Sequence, residues 1–159
     1  MSWFRDTGYA QLIEEIDKTE GSKPIAVIFN LGVNDLGNAG NYVSYMTNIA
    51  STLKSKNCKL FYMSVNPINS IMITKAGRGA RTEAQVREFN SKIRSGLSLY
   101  YKYIDMYSVL MKKGYGTNAR YDGVDDGDDG LHYTTKTFKR IYYYCITYLN
   151  TGSINASYY

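Results

Sequence analysis

The chain has 159 residues, of which 44% are hydrophobic and 21% are charged, and this composition excludes disordered, collagen-like and disulfide-scaffold proteins. Its longest apolar runs, such as 25–29, are far shorter than the roughly 18 residues that a membrane span needs, so a soluble globular domain is predicted. The net charge of +5 is spread along the chain without a basic arm, which argues against nucleic-acid binding.

The first half of the chain predicts two helices around one strand. Apolar residues at helical spacing predict a helix over 5–18, and Gly21 closes it. The segment 24–31 is largely apolar and predicts a strand buried on both faces, as in a parallel sheet. A loop over 32–38 follows, and helical periodicity returns over 41–56.

The second half continues this alternation. The segment 59–65 predicts a second buried strand, and 68–81 predicts an irregular, mobile loop near a site. Thr82 and Gln85 form a capping-box pattern that opens a helix towards Leu99. The remaining predicted elements are a short strand, a Gly- and Asp-rich loop and a helix, over 103–106, 114–130 and 134–149.

Three alternations of strand and helix predict an α/β fold with a parallel sheet and right-handed crossovers. No linker or internal repeat divides the sequence, so one domain is predicted over 1–150, followed by a loose tail over 151–159. On the last helix, the side chains predicted to face inward are Phe138, Ile141, Tyr142, Cys145 and Leu149.

Three polar side chains fall where ligands of parallel sheets bind, beyond the carboxyl ends of the strands. Asn34, in the loop after the first strand, has an amide that can donate hydrogen bonds. The loop before the last helix ends in Asp129-Gly130-Leu131-His132, with the only histidine of the sequence. An Asp three residues before a His can accept from the ring N–H, which fixes the tautomer and stabilises the protonated ring. These side chains are therefore candidates for a catalytic site.

Two blocks of the sequence resemble those of a known family. Gly32-Val33-Asn34-Asp35 resembles the G-x-N-D block of the SGNH (GDSL-type) hydrolases, and 129–132 resembles their D-x-x-H block. The likeness extends over residues 3–149. It implies a three-layer, flavodoxin-like α/β/α sandwich that hydrolyses acyl or carbohydrate acetyl esters through an acyl-enzyme. It implies no metal and no organic cofactor.

The resemblance implies a role for each matching residue. His132 would be the base that activates a serine, and Asp129 would orient its ring. Asn34 would donate to the oxyanion, a contribution of typically about 10²–10³ in rate. Gly32 and Asp35 would shape the turn that presents Asn34.

The sequence departs from the family's pattern at the nucleophile. It contains no Gly-Asp-Ser block, and no second block with an oxyanion glycine is recognisable. We therefore expect a fragment without the first two strands of the sheet, inactive on its own. In the strand order of this fold, that loss would leave the strand over 25–31 at an edge, whose unpaired backbone groups favour self-association.

Other interpretations of these residues are weaker. The acidic cluster 122–129 suggests a calcium loop, but its spacing does not fit an EF-hand. Cys58 is disfavoured as a replacement nucleophile because it precedes a strand and would lie at the wrong end of the sheet. Arg78 could steer an anionic substrate, or it could be a solvated surface residue. The alternative function is a non-catalytic module on the same fold that binds a glycan or a protein through a Tyr-rich surface.

Overall fold

A computed structural model describes residues 1–19, 21–116 and 129–154. The helices are α1 (Tyr9–Lys18), α2 (Ala39–Ser55), α3 (Ser70–Lys75), α4 (Glu83–Gly96), α5 (Met106–Lys112) and α6 (Thr135–Thr151). The strands are β1 (Ile25–Phe29), β2 (Cys58–Met63) and β3 (Lys102–Ile104). A π-helical turn (Phe4–Gly8) precedes α1, and a 3-10 turn (Leu36–Asn38) precedes α2.

The three strands form one parallel sheet in the order β1-β2-β3. Ile25 pairs with Cys58 and Phe29 with Tyr62, so β1 and β2 run in register over the full length of β1. Strands and helices alternate along the chain, which confirms the predicted α/β fold. The strand β1 lies at an edge of this sheet, as predicted for 25–31.

The chain forms two compact units. Unit 1 comprises 1–63 and 89–103, and unit 2 comprises 64–88 and 104–159, of which the ranges given above are described. In unit 1, one face of α2 is buried through Tyr42, Met46, Ala50 and Leu53. The Tyr42 ring meets the ring of Phe89 edge-on, with centroids 5.2 Å apart. An apolar stripe on α2 and the C-terminal part of α4 therefore contribute to the core of this unit.

Unit 2 consists mainly of helices whose first turns are capped by side chains. Asn69 accepts from the N–H of Met72 at the start of α3, and Asp105 accepts from the N–H of Ser108 at the start of α5. Thr134 caps α6 in the same way. The side chains that fill its core include Ile73, Met106, Leu110, Ile141 and Tyr144. Each cap satisfies a backbone donor that the helix itself leaves unpaired.

Two predicted boundaries were wrong because short capped helices lack a long periodic pattern. The segment 68–81 is not irregular throughout, since α3 forms within it on the Asn69 cap and buries Ile73 completely. The predicted strand 103–106 ends at Ile104, because Asp105 turns the chain into α5.

The capping box at Thr82 is confirmed: its N–H donates to Gln85 Oε1 at 2.9 Å, and Gln85 N–H donates back to its hydroxyl.

One burial prediction was wrong and another was only partly correct. β1 is not buried on both faces: Val27 and Phe29 are buried, whereas Ala26 is exposed. On α6, Ile141 and Cys145 are buried as predicted and Leu149 is partly buried, but Phe138 and Tyr142 are 53% and 61% exposed. Thr137 and Tyr144 are buried in their place. The inward stripe is thus displaced around the helix from the predicted one.

In the described part of the chain, no helix combines the length and apolar character that crossing a membrane requires.

Candidate functional site

The Gly32–Asp35 turn follows β1 in unit 1. The N–H of Asp35 donates to the carbonyl of Gly32 at 2.8 Å, which closes a tight turn with Asn34 exposed in its centre. Gly32 has a φ of 119°, a conformation open to glycine and strained for other residues. Gly32 and Asp35 thus begin and end the turn that carries Asn34.

Asp35 has a structural partner. Its carboxylate accepts a hydrogen bond from the Tyr42 hydroxyl at 3.0 Å. Burial and this bond raise the pKa of the Tyr42 phenol far above its usual range, so the hydroxyl stays protonated and donates. The bond ties the turn to the first part of α2.

In unit 2, Asp129 and His132 form a hydrogen-bonded pair. Asp129 Oδ2 lies 2.7 Å from His132 Nδ1, and Oδ1 accepts from the backbone N–H groups of Leu131 and His132 at 3.0 and 2.9 Å. Arg78 Nε lies 3.5 Å from Oδ2. The His132 side chain is 68% exposed and that of Asp129 is 17% exposed. The carboxylate therefore holds one ring nitrogen while the ring itself remains accessible.

The pKa of Asp129 lies well below its usual range. The main cause is the backbone N–H of His132, and the His132 ring and the N–H of Leu131 act in the same direction against the effect of burial. The group is thus a carboxylate at neutral pH and accepts from Nδ1–H. In the neutral ring, this tautomer leaves the lone pair on Nε2, the nitrogen that a general base uses.

The segment before α3 supports this pair, a role that was not predicted from the sequence. The N–H of Asn69 donates to the carbonyl of Gly130 at 2.8 Å, and the Tyr133 hydroxyl donates to the carbonyl of Pro67. A Cβ on Gly130 would lie 2.6 Å from the carbonyl oxygen of Asn69, so the two backbones are in direct contact. The Asn69 cap pattern, with an Asn just before a short apolar run, was the available signal.

Two buried polar atoms of the same segment have no hydrogen-bond partner among the described residues: Asn66 Oδ1 and Asn69 Nδ2. Asn69 itself is fully buried. Buried polar atoms of this kind are commonly satisfied by an ordered water or a ligand group.

The remaining candidates gain no support as catalytic groups. Cys58 is the first residue of β2, at the amino end of the sheet, and burial raises the pKa of its thiol, so it is a poor nucleophile. Most of the acidic cluster considered as a calcium loop, residues 122–128, lies outside the described residues. Within the described residues, no group of three or more His, Cys, Asp or Glu side chains could hold a metal ion.

The structure brings Asp129 and His132 together in unit 2, whereas Asn34 belongs to unit 1. The approach of Asn34 to the pair stays a prediction. No protein-family model matches the chain, and no curated protein matches it. The resemblance to the SGNH hydrolases therefore depends on the two residue blocks and on the order of the elements.

Proposed function

We propose that this chain carries the base and the orienting carboxylate of a serine-type ester hydrolase related to the SGNH family. The observation that supports the proposal best is the 2.7 Å contact between Asp129 Oδ2 and Nδ1 of the accessible His132 ring. The substrates proposed are short acyl esters or acetyl esters of carbohydrates.

In this mechanism, Nε2 of His132 removes the proton from a serine hydroxyl as its oxygen attacks the ester carbonyl. Asp129 stabilises the resulting imidazolium through Nδ1–H. The ring then returns the proton to the leaving alcohol, which leaves an acyl-serine. A water molecule, deprotonated by the same nitrogen, attacks the acyl group and releases the acid and the free serine.

Asn34 is the proposed donor to the oxyanion of both tetrahedral intermediates. Its position in a tight turn fixes the backbone that carries the amide, so little reorganisation is needed when charge develops on the substrate oxygen. Substitution of Asn34 by Ala should lower kcat by about 10²–10³.

No serine of this sequence is assigned as the nucleophile, because the sequence contains no Gly-Asp-Ser block. A fluorophosphonate probe, which reacts with activated serines, tests this point on the 159-residue chain. We expect no labelling. Stoichiometric labelling would place the nucleophile within these residues and contradict that part of the proposal.

The function itself is tested by ester hydrolysis with the protein encoded by the whole reading frame, using p-nitrophenyl acetate and acetylated xylan. We expect activity that falls by at least about 10³ in His132→Ala and by a similar factor in Asp129→Asn, because the base or its orientation is lost. Asp6→Asn, which removes an exposed carboxylate paired with Arg5, is the matched control and should keep full activity. Unchanged activity in His132→Ala would refute the proposed role of the pair.

A non-catalytic binding module is the second candidate, and the exposed aromatic side chains of α6 favour it. Phe138, Tyr142 and Tyr143 are 53%, 61% and 45% exposed. Such rings bind carbohydrate or protein surfaces with their apolar faces. This function would be identified if the protein hydrolyses no ester and if the wild type and the His132→Ala variant bind xylan equally well.

A further inference from the structure

Unit 1 contains an open cavity of about 480 Å³ at the amino-terminal ends of the strands. Its lining comes from the C-terminal end of α2, the start of β2 and the segment 98–102 that leads into β3. The volume lies within the range of small-molecule sites, roughly 300–1,000 Å³. The cavity has no part in the proposed hydrolase mechanism.

The charged side chains in the described lining of this cavity are all positive. Lys54, Lys59 and Lys102 line it, and its described lining includes no Asp or Glu. Lys54 Nζ lies 5.5 Å from the centre of the Tyr100 ring. Among the described residues, no carboxylate forms an ion pair with Lys54, Lys59 or Lys102. By contrast, Lys56, which does not line the cavity, pairs with Asp17. Three lysines with no carboxylate partner among the described residues, placed around one concave surface, attract an anion.

The rest of the cavity is mostly apolar. Leu60 and Phe61 line it and are nearly fully buried, whereas Leu99 is 84% exposed and Tyr100 is 37% exposed. A bare inorganic ion makes no use of such a surface. A ring can stack on Tyr100 and cover Leu99 while a charged substituent meets the lysines.

The cavity and the Asn34 turn lie at opposite ends of β1 within unit 1. Pro24 lines the cavity just before the strand, and the turn begins after its last residue. Five residues of strand separate the two by roughly 15 Å. One small ligand therefore does not occupy both.

We propose that this cavity is a binding site for a phosphate monoester of an aromatic or sugar ring. A phosphate monoester carries about −1.5 to −2 charges at pH 7 and matches three lysines better than a single carboxylate does. Tyr100 and Leu99 hold the ring, and the lysines hold the phosphate. The site is separate from the hydrolase function, and either can exist without the other.

Titrations of the 159-residue chain with phenyl phosphate, glucose 6-phosphate, inorganic phosphate and phenol, followed by NMR and calorimetry, test the proposal. We expect at least one of the two ring phosphates to bind at least about tenfold more tightly than inorganic phosphate or phenol, since the ring and the charge both contribute. Whichever binds more tightly identifies the kind of ring. Equal binding of inorganic phosphate, or no binding of either ring phosphate at 10-fold molar excess over about 1 mM protein, would overturn the proposal.

Variants locate the site. The double substitution Lys59→Gln with Lys102→Gln should weaken the binding of the ring phosphate by at least about tenfold. Tyr100→Ala should lower the affinity for the ring phosphate more than the affinity for inorganic phosphate. Lys18→Gln is the matched control, because Lys18 is exposed and paired with Glu14 outside the cavity. All of these residues are exposed, so we expect the variants to fold. Their NMR spectra test this expectation. A double variant that binds like the wild type would refute the assignment to this cavity.

Discussion

Asp129 accepts three hydrogen bonds at the turn before α6, two from backbone N–H groups and one from the His132 ring. Each of them favours the ionised carboxyl, which is why the pKa of Asp129 is lower in the folded chain than the value of about 3.9 expected when the chain is unfolded. The contribution of this carboxylate to stability is therefore fully present above about pH 4 and is lost as the pH falls below it.

Asp129→Asn should consequently destabilise the chain in a pH-dependent manner. We expect a loss of about 1 kcal/mol at pH 7. The loss should shrink as the pH approaches 3, because the carboxyl of the unfolded wild-type chain takes up a proton below its pKa of about 3.9 while the folded one is still ionised. Urea unfolding of both proteins at pH 7, 5 and 3 measures the difference. In Asp6→Asn, an exposed ion pair is lost and the change at pH 7 should be smaller. A loss that is the same at all three pH values would contradict the assignment.

Gly130 and Gly152 form a matched pair for testing the contact beneath the candidate site. Their φ values are 73° and 74°, so an Ala at either position costs about 1 kcal/mol of backbone strain. At Gly130 the new Cβ would meet the Asn69 carbonyl at 2.6 Å, whereas no atom of the described residues lies within 4 Å of a Cβ at Gly152. We expect Gly130→Ala to lower the free energy of unfolding by about 2 kcal/mol more than Gly152→Ala does. Equal effects in denaturant titrations would show that the contact is absent.

At the scale of the elements, α2 and α4 approach each other closely in unit 1 at Gly96. A Cβ on Gly96 would lie 2.6 Å from Cγ2 and 2.8 Å from Cγ1 of Val43. Val is β-branched and has little rotamer freedom in a helix, so it cannot turn away. The absence of a side chain at Gly96 therefore sets how closely the two helices pack.

Gly96→Ala should destabilise the chain by about 1–3 kcal/mol through overpacking, despite the better helix propensity of Ala. Gly40→Ala, at the start of α2, places a Cβ that has no atom of the described part of the chain within 4 Å, and it should be neutral or slightly stabilising. Thermal unfolding of the two variants gives the comparison. The close helix contact would be refuted if Gly96→Ala were as stable as Gly40→Ala.

At the scale of the whole molecule, β1 presents one unpaired edge of the described sheet. The N–H of Ile25 donates to the carbonyl of Asn57 beside β2, so the backbone groups of the next residue, Ala26, point to the free edge. A free edge with apolar side chains can pair with a second copy of the chain.

We therefore expect self-association that increases with concentration and depends on this edge. Ala26→Pro removes the outward N–H without breaking a bond to β2, and it should shift the chain towards monomer in sedimentation velocity. Ile28→Lys, which places a charge on the same strand, should act in the same direction. A wild-type chain that stays monomeric at high concentration would contradict the expectation.

The sequence by itself determined the α/β alternation, the long helices α2, α4 and α6 and the capping box at Thr82, because periodicity and capping are local properties of the chain. It also determined the Asp129–His132 pair, since three residues of turn bring these side chains together without help from the rest of the fold.

Only the tertiary structure decided the features that depend on neighbours distant in sequence. The contact of Asn69 with Gly130, the half-exposed β1, the outward Phe138 and the lysine-lined cavity all arise where separate segments meet. Short elements such as α3 and α5 belong to the same group, because a single capped turn is stable only when packing buries residues such as Ile73 and Leu110.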